Sequence, residues 1–254
     1  MEVFALKLYR RRFLDKAIAE AAQMWYSFFM FMKRTEARAV MKIIAIMPIK
    51  LNNERLPGKN TKLLGDKPLI EYQLRALELS GEFESINVYC SDEAIKPFLT
   101  EKATFVKRPA FLDLPTSNFN QIFSSFIDEV DADIYVYAHA TAPFVTVDTI
   151  RECVAAVKSG EYDSAFCAVR IQDYLWSDGQ PMNFDAQNLP RSQDIKPIFR
   201  ETSGIYVIPK DMYKKLGRRI GLKPYIKEVS FKESVDINNP EDFELAQALL
   251  NIDL

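Results

Sequence analysis

From Met41 onward the sequence alternates short apolar runs with amphipathic segments, and that rhythm leaves few folds open. Apolar runs rich in β-branched residues read as strands buried on both faces. Segments with apolar residues three or four apart read as helices, and regular alternation of the two implies a parallel sheet covered by helices. Strands are predicted at 42–49, 85–90, 104–107, 133–138, 164–169, 204–208 and 225–229. One helix is predicted to open at Pro68, where the missing N–H costs nothing, and others at 93–100, 117–130, 147–158, 211–216 and 240–250. The last of these has a clear start: Asn239 can cap it, Pro240 suits its first position, and Glu241 and Asp242 complement the positive end of its dipole.

Two stretches break the rhythm. Residues 171–203 are rich in Asp, Asn, Gln and Pro and too long for a plain connection, so they read as an excursion that lines a site or meets a second subunit. Residues 1–40 carry twice as many Lys and Arg as acids, and Leu14, Ile18, Ala21, Trp25, Phe28 and Met32 share one helical face. They are read as a helical extension, or as translation from upstream of a start at Met41, ahead of one domain over 41–254. The apolar run from Met24 to Met32 falls far short of the roughly 20 residues a membrane span needs. A net charge of −2 gives no global basic field for nucleic acid. Three scattered cysteines and a single histidine assemble no zinc pattern, and a reducing cytoplasm is the expected setting.

Positive charge matters where it clusters, and the densest cluster follows the first strand. Lys50-Leu51-Asn52-Asn53-Glu54-Arg55-Leu56-Pro57-Gly58-Lys59-Asn60 brings three cations and several amide donors to the carboxyl end of a buried strand. Open α/β sheets bind ligands at that end, and fixed cations beside amide donors suit an anion, phosphate first. With Gly58 as its only glycine, the loop is neither a dinucleotide fingerprint nor a Walker A loop.

Lys50 and Arg55-Leu56-Pro57-Gly58-Lys59-Asn60 resemble the opening signature of the sugar cytidylyltransferases that make CMP-linked acidic sugars, both the acylneuraminate and the 3-deoxy-manno-octulosonate branches. Gly65-Asp66-Lys67-Pro68-Leu69-Ile70, Val88-Tyr89-Cys90-Ser91-Asp92, Arg108-Pro109-Ala110 with Thr116-Ser117-Asn118, and Pro190-Arg191 with Phe199-Arg200 continue the resemblance, as does Val235-Asp236-Ile237-Asn238-Asn239-Pro240-Glu241-Asp242. The Pro-Arg and Phe-Arg pair favours the acylneuraminate branch. The resemblance implies a Rossmann-like fold of the nucleotide-diphospho-sugar transferase type. It implies a reaction in which an acidic sugar's anomeric hydroxyl attacks the α-phosphate of CTP and pyrophosphate leaves. It further implies Lys50, Arg55 and Lys59 on the phosphates, Asn60, Arg108 and Ser117 on the nucleotide, Arg191 and Arg200 on the sugar carboxylate, and Mg²⁺ on Asp236 with Asn238. A homodimer formed through the excursion is expected as well.

The chain departs from the pattern in places. Asn238 stands where the family has a second Asp, which leaves a neutral oxygen in place of a carboxylate ligand. His139 stands where the family has Gln; its expected role is a ribose or sugar hydrogen bond, with core packing and catalysis as the other readings. Two further functions stay open on the sequence: a nucleotide- or sugar-binding homologue with weakened catalysis, and a related nucleotidyltransferase or glycosyltransferase that uses another nucleotide.

Overall fold

The computed structural model describes residues 23–26 and 41–252. The chain divides into two units at Met41/Lys42, and the sheet with its covering helices belongs to the unit from Lys42 onward. Residues 23–26 of the predicted N-terminal helix are helical; the rest of that prediction lies outside the described residues.

Seven strands form one sheet: β1 (Ile43–Ile49), β2 (Ser85–Cys90), β3 (Ala103–Lys107), β4 (Ile134–Ala138), β5 (Ser164–Ile171), β6 (Ile198–Pro209) and β7 (Pro224–Glu228). Their order is β7-β5-β6-β4-β1-β2-β3, and only β6 runs antiparallel to its neighbours. Sequence order moves from β1 to one side and then jumps to β4 on its other side. The crevice outside the carboxyl ends of β1 and β4 is therefore the switch point where such sheets take ligands.

Alternation along each strand divides the core into two layers. Ala45, Met47, Val88, Val136 and Val207 face helices α1 (Leu69–Ser80) and α3 (Val147–Lys158). Ile44, Ile46, Tyr89, Tyr135, Tyr137 and Tyr206 face α2 (Phe119–Glu129) and α4 (Lys210–Leu216). The second layer is an aromatic mesh in which Phe123 meets Tyr135 and Tyr213 edge to face, at 5.4 and 4.6 Å between centroids.

A third, smaller cluster positions the site. Leu56 of the basic loop buries against Val235, Ile237 and Phe243, the last on α5 (Pro240–Leu249). Val235 and Ile237 point into this cluster. The residues between and after them, Asp236 and Asn238, lie only partly buried on the other side, as period-two alternation requires. Burying Leu56 with Ile237 thus sets the cations of one loop beside the polar residues of a segment distant in sequence. An apolar side chain so buried contributes about 1.5–3 kcal/mol.

Three elements differ from expectation. The segment Glu93–Phe98 is a 3-10 turn, since Pro97 inside it removes a helical donor. β6 begins at Ile198 because its outer half pairs with β5, Ile198 opposite Ile171 and Arg200 opposite Val169. The excursion therefore runs between these paired bases and contains a tight hairpin, Trp176–Ser177 with Gln180–Pro181, turned by Asp178 and Gly179 at positive φ.

Candidate active site

The loop after β1 folds back on itself before it presents its charges. Asn60, 4% exposed, donates from Nδ2 to the Lys50 carbonyl at 2.9 Å and closes the loop onto the strand end. That bond uses one of its amide hydrogens and fixes the side chain at the base of the loop. Gly58 takes φ 66° and starts the 3-10 turn Lys59–Thr61, which turns Lys59 inward.

Lys59 is 7% exposed, and its Nζ donates to the Ile237 carbonyl at 2.7 Å. Burial pushes its pKa below the ordinary lysine value, Asp236 opposes that shift, and Arg55 adds to it. Arg55 is exposed and donates from Nη2 to Asn238 Oδ1 at 3.0 Å. Asn238 in turn donates from Nδ2 to Asp236 Oδ2 at 2.8 Å, and its main-chain N–H donates to Asp242 Oδ2 at 2.8 Å. Asp236 Oδ1 is buried without a partner. Arg55, Lys59 and Asn238 border a cavity of about 270 Å³ whose walls also include Lys50, Asn53, Glu54 and Pro115; Asp236 stands behind Asn238 and is not on the wall. Among the described residues the Lys50 ammonium makes no ion pair, and three cations share the wall with one carboxylate, Glu54.

His139 follows β4 on the other side of the switch point. A bulge in β6 between Glu201 and Tyr206 sets Gly204 against it: the His139 N–H donates to the Gly204 carbonyl at 3.3 Å. A Cβ on Gly204 would lie 3.1 Å from Val145 Cγ2, so the close approach favours glycine. The imidazole sits between the rings of Tyr137 and Tyr206, its Nε2 buried and unpartnered. Burial lowers its pKa to about 4, with Asp236 and Glu201 opposing and Arg219 and Lys59 reinforcing the shift.

The remaining sequence candidates do not border the cavity. Arg108 is 2% exposed and forms an ion pair with Asp113, which also accepts from Ser91 Oγ. Ser117 Oγ donates to the Phe111 carbonyl at 3.3 Å, and Pro115 is the residue of that segment on the cavity wall. Arg191 is exposed and pairs with Asp194 at 2.8 Å, while Arg200 is exposed on the outer half of β6. Sequence reasoning missed the group next to His139. Arg219 lies 4.3 Å over the Tyr206 ring and pairs with Glu201, which accepts from the Tyr206 hydroxyl at 2.6 Å. The adjacent arginines Arg218 and Arg219 were its only signal.

Taken as chemistry, three cations around one cavity suit an anion, with Glu54 on the same wall and Asp236 bonded to Asn238 behind it. Among the described residues no cluster of three or more His, Cys, Asp or Glu could hold a metal by itself. A divalent cation here would need oxygens from a ligand as well as from Asp236.

A sequence profile described as cytidylyltransferase matches residues 44–253. The chain belongs to the cytidylyltransferase family. The N-acylneuraminate cytidylyltransferase A of Danio rerio is 28% identical over 225 residues, 85% of this chain and 51% of that protein. The CMP-N,N'-diacetyllegionaminic acid synthase of Legionella pneumophila is 26% identical over 237 residues, 84% of this chain and 97% of that one. This cytidylyltransferase thus spans about half the length of the fish relative and nearly the whole of the bacterial one. In fold it is similar to a CMP:2-keto-3-deoxy-manno-octonic acid synthetase solved with CTP, with a TM-score of 0.61 at 16% identity over 82% of this chain and 98% of that one. Among the described residues, no helix of the cytidylyltransferase is long and apolar enough to cross a membrane.

Proposed function

We propose that this chain transfers CMP from CTP to the anomeric hydroxyl of a nonulosonic-type acidic sugar, releasing pyrophosphate. The observation that carries the reading is the meeting of Arg55 and Lys59 with the 236–238 segment at the rim of one cavity. The relatives named for acylneuraminate, legionaminic acid and pseudaminic acid transfer support the sugar class.

Such a reaction needs little covalent help; it needs charge neutralised on three phosphates and two reactants held in line. Lys50, Arg55 and Lys59 supply the fixed cations. Lys59 is already desolvated, so its charge acts on a phosphate through little intervening water. Asp236, with one buried oxygen unspent, fits a ligand to Mg²⁺, which when bound would neutralise phosphate charge. His139 would offer Nε2 to a hydroxyl of ribose or sugar. Arg191 and Arg200 would serve the sugar carboxylate from the excursion, with a second copy of the chain bringing that excursion to the site. Three free cysteines, Cys90, Cys153 and Cys167, all buried, agree with a cytoplasmic setting.

The test is thermal stabilisation by CTP, UTP, GTP and ATP in turn, followed by pyrophosphate release with CTP, Mg²⁺ and a panel of acidic sugars. CTP is expected to raise the melting temperature most. In Lys59→Met the melting shift with CTP should vanish while the fold remains. Stabilisation by another nucleotide alone, or full turnover by Lys59→Met, would refute the assignment.

A further inference from the structure

Asn238 is held from three sides, and the way it is held has consequences for the metal. Its oxygen accepts from Arg55 at 3.0 Å, its amide nitrogen donates to Asp236 at 2.8 Å, and its backbone N–H is tied to Asp242 at 2.8 Å. The amide orientation follows from its partners. Reversing it would set NH₂ against a guanidinium and an oxygen against a carboxylate. The oxygen expected as a metal ligand therefore faces the loop cation, and the side that faces Asp236 is a donor.

We infer that Asn238 is a positioning residue that assembles this site without a divalent cation and leaves the metal to bind together with the nucleotide; this rests on the nucleotide reading above. Two carboxylates at 236 and 238 would repel one another and call for a cation between them. A neutral amide joins Arg55 to Asp236 instead, so the loop and the 236–238 segment lock together in the free protein. Asp242 Oδ2 is already committed, accepting from the N–H groups of Asn238 and Asn239 at 2.8 and 3.1 Å, and those bonds hold its carboxylate at the helix start. The buried oxygen left without a partner at this site is Asp236 Oδ1, and it is the one that a metal would take. Mg²⁺ requires six oxygens, and one protein oxygen with water holds it weakly; a triphosphate adds the oxygens that make the binding tight. When the triphosphate arrives, Arg55 exchanges Asn238 for a phosphate and the amide is released.

The test is a titration of the protein with Mn²⁺, followed by the electron paramagnetic resonance signal of the free ion, with and without CTP. CTP is expected to tighten Mn²⁺ binding by the wild type by about tenfold or more. Asn238→Asp is expected to tighten Mn²⁺ binding to the nucleotide-free protein by about tenfold, with a smaller further gain from CTP. Arg55→Met, at an exposed position that leaves the core intact, removes a cation and frees the Asn238 oxygen. It should tighten nucleotide-free Mn²⁺ binding several-fold and weaken CTP. With the Mn²⁺ taken up by CTP alone measured in a protein-free titration and subtracted, wild-type affinity for Mn²⁺ that is the same with and without CTP, in protein whose melting temperature CTP does raise, overturns the inference, as does unchanged nucleotide-free affinity in both variants. The nucleotide-free arm is read even where CTP fails to bind, so loss of the CTP reading and loss of this one remain separate results.

Discussion

His139 shows how burial at one residue becomes a property of the whole protein. Its ring is packed between Tyr137 and Tyr206, and its pKa falls from the ordinary 6.5 to about 4. Unfolded chains therefore bind the proton between pH 6.5 and 4 and folded ones do not. Stability is accordingly lost as pH falls through that window and is unaffected above it. The size of the shift makes this about 3 kcal/mol at the acid end. His139→Gln keeps a polar side chain without the titration. Melting curves from pH 7 to 4 should fall less steeply for the variant, and the difference between the two proteins should appear only below about pH 6.5. Parallel curves would show that the imidazole takes up its proton as readily in the fold as in the unfolded chain. Lys59 carries the same physics at the other end of the scale. Its lowered pKa means that its charge is lost at a less alkaline pH than an ordinary lysine's.

At the scale of elements, the start of α5 does two jobs with one set of hydrogen bonds. Asn239 Oδ1 accepts from the Asp242 N–H at 3.0 Å, and Asp242 returns the bond to the Asn239 N–H, a reciprocal cap for the helix. The same Asp242 oxygen fixes Asn238. Asn239→Ala should cost about 1 kcal/mol in urea unfolding and leave CTP stabilisation unchanged. Asp242→Ala should cost about as much or somewhat more and also weaken CTP stabilisation, because Asn238 and with it Arg55 lose their anchor. Equal CTP responses in the two variants would separate the cap from the site. The cap itself was legible in the sequence as Asn-Pro-Glu-Asp, as were the strands whose apolar runs lie wholly in the core, such as Ser85–Cys90. What could not be read was set by tertiary partners. Only Phe199 and Arg200 of the outer half of β6 are exposed, but the half carries no apolar alternation, and it is a strand only because β5 lies beside it. The orientation of Asn238 depends on Arg55, and the burial of Arg108 on Asp113 and Ser91. Residue type shows that a group can bind an anion, but not which neighbour within the fold has already claimed it.

At the scale of the molecule, the sheet gathers its polar loops at one edge and the excursion spreads its apolar residues outside. Tyr174, Trp176, Met182, Leu189 and Phe199 are all large and exposed, five within a single stretch, while other exposed large apolar residues such as Leu79, Leu222 and Phe231 are scattered over the chain. Phe184 is clasped edge to face by Tyr174 and Trp176 at 5.0 and 5.4 Å, so the hairpin is a shaped surface with its own aromatic packing. A concentration of exposed apolar side chains on one shaped excursion suits an interface, and a second copy of the chain is the partner expected here. Light scattering should therefore give twice the mass of the chain. The double substitution Trp176→Ser with Met182→Ser should halve it without unfolding the domain, because neither side chain belongs to the core. Arg191 and Arg200 stand on or beside the same excursion and reach no wall of the cavity within one chain. The separated protomer is thus expected to keep its CTP stabilisation while its KM for the acidic sugar rises by about tenfold or more. A monomeric wild type would remove the second copy from the site, and an unchanged KM in the separated protomer would return both arginines to the surface.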